Sequence, residues 1–298
     1  MHLSRPTLTG SLLGALFCAT PPGPATAPVP AAKPALLVFI TVDQMREDYV
    51  DRWKGQLTGG LKRLLDGGAL FTDGHQDYAI TETAPGHAST MSGRFPRSTG
   101  ITRNLAGVND PASKLIGSAN LGASPFRFRG TTLTDWLTAA NPKTRALSVS
   151  YKDRGAILPI GRSKQEVYWW GGRAYTTSTW YRDTLPNWVK AFNARHIPSD
   201  SAGKVWNLLL PAAEYAEPDS VPVESSGRSF TFPYRLSGNA DTATAQYPGF
   251  PFMDELSAQF ALAGVTALNL GKGPETDVLA VSFSSTDLIG HRFGPDSR

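Results

Sequence analysis

The sequence predicts an α/β fold with a mostly parallel central sheet, flanking helices and an inserted cap region. Two apolar, β-branched runs at 35–43 and 276–287 are typical of buried parallel strands, and each range ends in a carboxylate. Helical segments alternate with such runs, which indicates a parallel sheet. Ligands of these sheets bind beyond the carboxyl ends of the strands, so polar residues there are candidates for a site.

The elements follow one another along the chain. The first strand, at 35–43, precedes a short helix at 61–68 that ends at Gly67 and Gly68. Residues 131–140 predict a helix, 141–144 a turn, and 145–155 a strand with a polar end. Residues 254–271 carry apolar side chains at 256, 260, 263 and 267 and close with a glycine, which indicates an amphipathic helix. The second buried strand then begins at 276.

The middle of the chain, residues 155–247, has a different composition. It is rich in aromatic residues, glycine and proline, and its helical and strand periods are poor. We interpret it as a cap inserted into a domain that spans 35–298. An exported carbohydrate-binding module is an alternative suggested by the aromatic residues. Cap packing is the preferred explanation, because aromatic side chains dominate cores and interfaces generally.

The composition and the N-terminus limit the classes of function. Hydrophobic residues make up 41% of the 298 residues and charged residues 18%, which is typical of a globular protein. The net charge is +4 without a basic run, so we expect no nucleic-acid partner. Nothing in the composition determines the oligomeric state.

Residues 1–27 predict a signal peptide, with Arg5, a short apolar run at 11–19 and small residues at 25–27. A membrane span needs about 20 apolar residues, so we expect none here, and a periplasmic or secreted location. Residues 28–34 predict a linker. A lipoprotein anchor at Cys18 is an alternative that Phe17 disfavours. Cys18 is the only cysteine, so the mature chain would have no disulfide.

The stretch TETAPGHAST at 81–90 places a hydroxyl before a proline-led helix start. Pro85 suits a first helical turn, which puts Thr83 at the helix N-terminus. Thr83 is then either a plain N-cap or a nucleophile, because helix N-termini attract phosphate. A threonine hydroxyl needs a base or a metal to become reactive, and Asp43 at the end of the first strand could hold that metal. Alone, Asp43 is an ordinary turn residue.

Two further pairs follow the other predicted strands. Asp287 and His291 are four residues apart, a spacing that suits zinc on one side of a helical turn, or else a capping aspartate and a surface histidine. Lys152 and Arg154 would project to the same side of an extended chain and could hold phosphoryl oxygens. The alternative is a solvated charge cluster paired through Asp153.

Five motifs, in this order, resemble the alkaline phosphatase superfamily, and within it the PafA-type phosphatases with a threonine nucleophile. They are TVDQMREDY, TETAPGHAST, GITRN, YKDRGAILP and SFSSTDLIGHRFGP. The resemblance extends from about residue 36 to residue 298 and implies the superfamily's fold and two zinc ions. Asp43 and Thr83 would belong to one zinc site, and Asp287 and His291 to the other. Thr83 would be the nucleophile that becomes phosphorylated.

The resemblance also implies a phosphoryl-binding set, with Asn104 on one side of the phosphoryl group and Lys152 and Arg154 on the other. His87 is given a packing role only. The implied function is hydrolysis of small phosphate monoesters, because the two cations would match the extra charge of a monoester. A phosphodiesterase or nucleotide pyrophosphatase is the alternative within the superfamily. A sulfatase is disfavoured, because sulfatases need a cysteine or serine in place of Thr83.

The family's remaining zinc ligands, a second Asp–His pair and a further histidine, lie beyond the Asp287–His291 motif. The other histidines, His2, His75, His87 and His196, match none of these remaining ligand motifs. We therefore expect this sequence to be the N-terminal portion of a phosphatase, with its last strands missing and an unprotected sheet edge. As given, it would be inactive or nearly so. A truncated relic that binds no metal is the non-enzymatic alternative.

Overall fold

The computed structural model describes residues 33–298. The predicted signal peptide, the Cys18 alternative and the predicted linker up to residue 32 lie outside the described residues. The strands are β1 (Leu36–Val42), β2 (Ala146–Ser150), β3 (Glu166–Trp170), β4 (Tyr175–Thr176), β5 (Val205–Trp206), β6 (Tyr234–Arg235) and β7 (Asp277–Phe283). The helices before β3 are α1 (Tyr49–Arg52), α2 (Gly59–Gly67), α3 (Thr83–Thr90), α4 (Pro96–Thr99), α5 (Leu133–Ala140) and α6 (Asp153–Ile157). The later helices are α7 (Asn187–Asn193), α8 (Ile197–Asp200), α9 (Ala240–Gln246), α10 (Phe252–Ala267) and α11 (Ser285–Phe293).

The central sheet has the strand order β1-β7-β2-β3-β4. Its first three pairings are parallel, and only the β3–β4 pairing is antiparallel. Strands β5 and β6 form a separate two-stranded sheet. The predicted α/β fold with a mostly parallel sheet is therefore confirmed.

Two apolar layers cover the two faces of this sheet. On one face, Leu256 and Phe260 of α10 pack with Tyr168 and Leu147 of the sheet. On the other face, helices α3 and α6 supply a layer that includes Ala88 and Ile157. Strands β2 and β7 lie between these layers and are buried on both faces, and most of their side chains are apolar. This arrangement holds the starts of α3, α6 and α11 near the carboxyl ends of the strands that they adjoin.

Strand β1 departs from the prediction of a fully buried strand. It pairs only with β7, and Val38 and Ile40 are 48% and 52% exposed. These two side chains share one face of the strand, because alternate residues of a strand point the same way. Within residues 33–298, β1 is therefore an edge strand with part of one apolar face uncovered.

The predicted cap also needs a correction. Strands β3 and β4 fall inside residues 155–247, yet they belong to the central sheet. The aromatic run of β3 is buried by its position between β2 and β4, which explains its composition. The first part of the range is thus sheet rather than insertion, and a cap role for the rest stays a prediction. No helix in residues 33–298 is both long and apolar enough to cross a membrane.

Candidate active site

The carboxyl ends of three adjacent strands bring three charged side chains together. Asp43 directly follows β1, and its N–H donates to the carbonyl oxygen of Phe283 at 2.9 Å, which extends the β1–β7 pairing. Lys152 follows β2, and Asp287 lies in the first turn of α11 after β7. Asp43 and Asp287 are 244 positions apart in the sequence, and the parallel topology places them at the same edge of the sheet.

Lys152 lies at the centre of this group. Its Nζ is 2.6 Å from Asp43 Oδ2, 2.5 Å from Asp287 Oδ2 and 3.3 Å from the Thr83 hydroxyl. Only 6% of the Lys152 side chain is exposed, and 11% of each carboxylate side chain. The ammonium group therefore neutralises one of two buried negative charges and holds both carboxylates beside Thr83.

The prediction that Lys152 and Arg154 project from an extended chain is wrong. Lys152 is the N-cap of α6, and Arg154 lies within that helix. Arg154 is partly exposed and pairs with Asp153 at 3.5 Å. The reason is that Asp153 begins a helical turn immediately after β2, with its carboxylate accepting the Arg154 N–H at 2.6 Å. Lys152 therefore points into the site, and Arg154 stands at its border.

Thr83 begins α3, as predicted, with Glu82 as the N-cap. Its hydroxyl donates to Asp43 Oδ2 at 3.2 Å. The first turn of α3 has few free N–H groups, because the Ala84 N–H donates to Asn104, Pro85 has none, and the Gly86 N–H donates to Glu82 O. Within residues 33–298, the Thr83 N–H is the first-turn donor left without a protein acceptor.

His87 ties the start of α3 to β7. Its Nδ1 lies 2.8 Å from Thr83 O, and its Nε2 lies 2.8 Å from the Ser282 hydroxyl. A carbonyl oxygen only accepts, so Nδ1 carries the proton and the Ser282 hydroxyl donates to Nε2. Burial lowers the pKa of His87, although the charge of Asp43 opposes this. A neutral histidine in this position fixes the backbone of Thr83, in keeping with a packing role.

Asn104 approaches Thr83 from the side of the GITRN loop. The side-chain Oδ1 of Asn104 accepts the Ala84 backbone N–H at 2.8 Å, and the backbone N–H of Asn104 donates to Glu82 Oε2 at 2.5 Å. Glu82 and Ser282 are site residues to which sequence reasoning gave no role. Glu82 lies inside the TETAPGHAST stretch, directly before Thr83, and that position was its only signal.

The donors for a metal are incomplete in the described part of the chain. Asp287 and His291 lie one helical turn apart on α11, with 3.4 Å between Oδ1 and Nε2, and 71% of the His291 side chain is exposed. Asp43 and Thr83 form the other pair. Zinc takes three or four protein ligands, and residues 33–298 contain no group of three His, Cys, Asp or Glu side chains that could hold an ion. Moreover, the Lys152 ammonium lies between the two carboxylates. The described residues alone do not fit the two zinc ions that the resemblance implies.

Comparisons with known proteins agree with this architecture. The family model for type I phosphodiesterase / nucleotide pyrophosphatase matches residues 37–298. Alkaline phosphatase PhoV of Synechococcus elongatus is 36% identical over 295 residues, which cover 92% of this chain and 54% of PhoV. Alkaline phosphatase PafA of Elizabethkingia meningoseptica is 34% identical over 288 residues, which cover 89% of this chain and 53% of PafA.

Solved structures give the same result. The crystal structure of wild-type alkaline phosphatase PafA superposes with a TM-score of 0.79 at 34% identity, over 89% of this chain and 55% of that one. A PafA structure with substitutions at a threonine, an asparagine, a lysine and an arginine superposes with a TM-score of 0.81. These similarities support the alkaline phosphatase superfamily and its fold. The chain spans about half the length of the curated relatives that it matches.

Proposed function

We propose, because this chain belongs to the type I phosphodiesterase / nucleotide pyrophosphatase family, that it carries the nucleophile and the phosphoryl-binding residues of a phosphoesterase. The observation that supports this most directly is the position of the Thr83 hydroxyl. It lies 3.2 Å from a carboxylate oxygen and 3.3 Å from an ammonium group, at the sheet edge where ligands of parallel sheets bind. A hydroxyl between a proton acceptor and a cation is arranged as an activated nucleophile.

In the proposed reaction, Thr83 Oγ1 attacks phosphorus and its proton passes to Asp43, to which it already donates a hydrogen bond. The bond from phosphorus to the leaving oxygen breaks as the Oγ1–phosphorus bond forms, which leaves a phosphothreonine that water then hydrolyses. The positive charge of Lys152, 3.3 Å from Oγ1, favours the developing negative charge. In this proposal, the free Thr83 N–H and the Asn104 side-chain amide are the neutral donors to the phosphoryl oxygens.

We propose small phosphate monoesters as substrates. A monoester carries one more charged oxygen than a diester. Lys152 beside the Thr83 hydroxyl, together with Arg154 in the helix that Lys152 caps, would supply the positive charge for it. The substituted PafA structure affects the same residue types in the same order as Thr83, Asn104, Lys152 and Arg154, which supports this assignment. Phosphodiester hydrolysis is the second candidate, favoured by the description of the matching family. The predicted signal peptide would place either reaction outside the cytoplasm.

The described residues offer too few metal donors to support a proposed role for zinc. A metal-dependent phosphatase would use Asp43 with Thr83 and Asp287 with His291, which gives two donors to each ion. That is fewer than zinc takes in proteins. No step of the proposed reaction therefore runs through a metal, and added zinc is a variable of the test.

The test is hydrolysis of p-nitrophenyl phosphate and bis-p-nitrophenyl phosphate, with added Zn²⁺ and with EDTA. Thr83→Ala should abolish any activity, whereas Thr90→Ala, at the exposed end of the same helix, should leave it unchanged. Acid quenching followed by mass spectrometry should locate a phosphate on Thr83. Activity that survives in Thr83→Ala would contradict the nucleophile. Activity with the diester alone would transfer the proposal to phosphodiesters, and no activity with either substrate would contradict the phosphoesterase proposal for this chain.

A further inference from the structure

Glu82 occupies the N-cap position of α3 but does not cap its own helix. Its Oε2 accepts the backbone N–H of Asn104 at 2.5 Å, across 22 residues of sequence. In return, Asn104 Oδ1 accepts the N–H of Ala84, the second residue of α3, at 2.8 Å. The two hydrogen bonds run in opposite directions between the helix start and the GITRN loop. They resemble a capping box in which one partner comes from a distant loop.

The local sequence explains why the Glu82 carboxylate is available for this contact. An N-cap side chain normally accepts from the second or third N–H of its helix. Here the second N–H, of Ala84, is taken by Asn104, and the third residue is Pro85, which has none. A carboxylate is also favourable beside the positive end of the helix dipole. Glu82 therefore serves the loop without competition from its own helix.

The pair of bonds decides which end of the Asn104 amide is free. Since a backbone N–H requires an acceptor, Oδ1 must face Ala84, and the Nδ2 hydrogens must face away from it. Nδ2 makes no hydrogen bond with the described residues, so its two hydrogens remain available as donors. Glu82 binds the backbone N–H of Asn104, the same residue whose side chain is fixed by Ala84. The carboxylate thus acts on the Asn104 donor through the backbone.

Close packing limits other positions of the loop. The Gly107 N–H donates to Asn104 O at 3.0 Å, and a Cβ at Gly107 would lie 2.8 Å from that oxygen and 3.2 Å from the Ala84 side chain. The loop therefore lies directly on the start of α3, with Asn104 held from both sides. The hydrogen bond to Glu82 supplies the charged contact in this arrangement, and bonds to charged groups are the stronger ones.

We propose that Glu82 is a positioning residue for phosphoryl recognition, because it orients Asn104 so that the side-chain NH₂ faces the group bound at Thr83. This rests on the proposed function, in which Asn104 donates to a phosphoryl oxygen. Glu82 itself does not touch the phosphoryl group. Its carboxylate accepts the Asn104 backbone N–H instead.

The experiment measures inorganic phosphate binding and the Asn104 side-chain NH₂ resonances by ¹⁵N NMR on the full chain. The variants are Glu82→Ala, Glu82→Gln, Asn104→Ala and the double variant Glu82→Ala/Asn104→Ala. The matched control is Asp135→Ala, because Asp135 accepts a backbone N–H in the capping box of α5, away from the site. The NH₂ resonances are assigned by their loss in Asn104→Ala.

Glu82→Ala should weaken phosphate binding by about tenfold or more and shift or broaden the NH₂ pair, since a bond to a charged group is lost. Glu82→Gln keeps an acceptor oxygen, so it should retain most of the phosphate affinity and leave the NH₂ resonances close to their wild-type positions. Asp135→Ala should change neither. In the Asn104→Ala background, Glu82→Ala should have little further effect on phosphate binding, because the two residues act as one unit.

Equal losses from Glu82→Ala with and without Asn104 would overturn the proposal, and so would an unchanged NH₂ pair in Glu82→Ala. If the wild-type chain binds no phosphate but the NH₂ pair responds to Glu82 as expected, the positioning role stands and the proposed function fails. If neither phosphate binding nor the NH₂ pair responds to Glu82, the positioning role fails. The two hypotheses are thus tested separately.

Discussion

Replacement of Lys152 by methionine is expected to lower the stability of this protein more than any ordinary surface substitution. The side chain is 6% exposed and its Nζ bridges Asp43 and Asp287. Methionine is close to lysine in length and has no charge, so the change removes the ammonium and leaves most of the packing. The two carboxylates would then face each other without a counter-ion.

The magnitude follows from the geometry. The two carboxylate oxygens lie 2.6 Å and 2.5 Å from the same nitrogen, so they are at most about 5 Å apart. Two unit charges at about 5 Å repel by about 3 kcal/mol at an effective dielectric constant of about 20. Removal of one member of a buried ion pair typically costs about 3–5 kcal/mol. For a domain of this size that corresponds to a Tm lower by roughly 6–20 °C.

The assay is thermal and urea unfolding of wild type and Lys152→Met at pH 7.5 in EDTA, so that no divalent ion replaces the ammonium. The matched control is Lys62→Met, because Lys62 pairs with Asp66 on an exposed helix face with 58% of its side chain exposed. Such a pair contributes only about 0.3–0.5 kcal/mol. The double variant Lys152→Met/Asp287→Asn should recover part of the loss, since one of the two facing charges is removed.

A Lys152→Met chain as stable as Lys62→Met would refute this reasoning. The same conclusion would follow if Asp287→Asn gave no recovery in the Lys152→Met background. Either result would mean that the two carboxylates are not held together by the ammonium in solution.

Three other changes test other parts of the structure. Burial raises the pKa of Asp254, so the stability of wild type relative to Asp254→Asn should rise as the pH falls from neutral through the unfolded pKa of about 3.8, and unfolding titrations with a constant difference would contradict this. Gly107→Ala should displace the Asn104 loop, because the new Cβ would lie 2.8 Å from Asn104 O, and an NH₂ resonance of Asn104 that stays in place would contradict this. Phe260→Ala should cost about 3–5 kcal/mol in urea unfolding, because Phe260 is fully buried and stacks on Tyr175 at 4.0 Å; a loss below about 1 kcal/mol would show that the cluster repacks.

The parts of the site at strand ends could be predicted from the sequence. Asp43 and Asp287 follow apolar runs whose period and length are unambiguous, and parallel strands share one carboxyl edge. The helix start at Thr83 was predictable for a similar reason, because Pro85 restricts the first turn. These predictions depend on local signals and on one rule of topology.

Other features depended on contacts between distant segments, which local patterns do not contain. The exposure of Val38 and Ile40 depends on which strand takes the edge, and an apolar β-branched run looks the same at either position. The turn after β2 redirected Lys152 and Arg154, because Asp153 starts a helix there. Glu82 could not be recognised, because its partner lies 22 residues away and the spacing has no periodic meaning.

The strand β3 was missed for a different reason. Its run of Tyr168, Trp169 and Trp170 has the aromatic composition of a strand, but it lies in a segment rich in glycine and proline. Composition averaged over the segment therefore masked a short local signal. A window of five or six residues, the usual length of a strand, would have found it.

The pairing of β1 with β7 has a consequence for the order of events in folding. Leu36 pairs with Asp277, so β1 cannot pair until a strand 241 residues later in the chain has been synthesised. At a synthesis rate of about 5–20 residues per second, β1 is made roughly 12–50 s before β7. During that interval its apolar side chains and its unpaired backbone are open to other chains. Contacts of such high sequence separation also form slowly, because loop closure precedes any gain from pairing. The yield of folded protein should therefore depend on what shields β1 in these first seconds, and low temperature and low chain concentration should raise it.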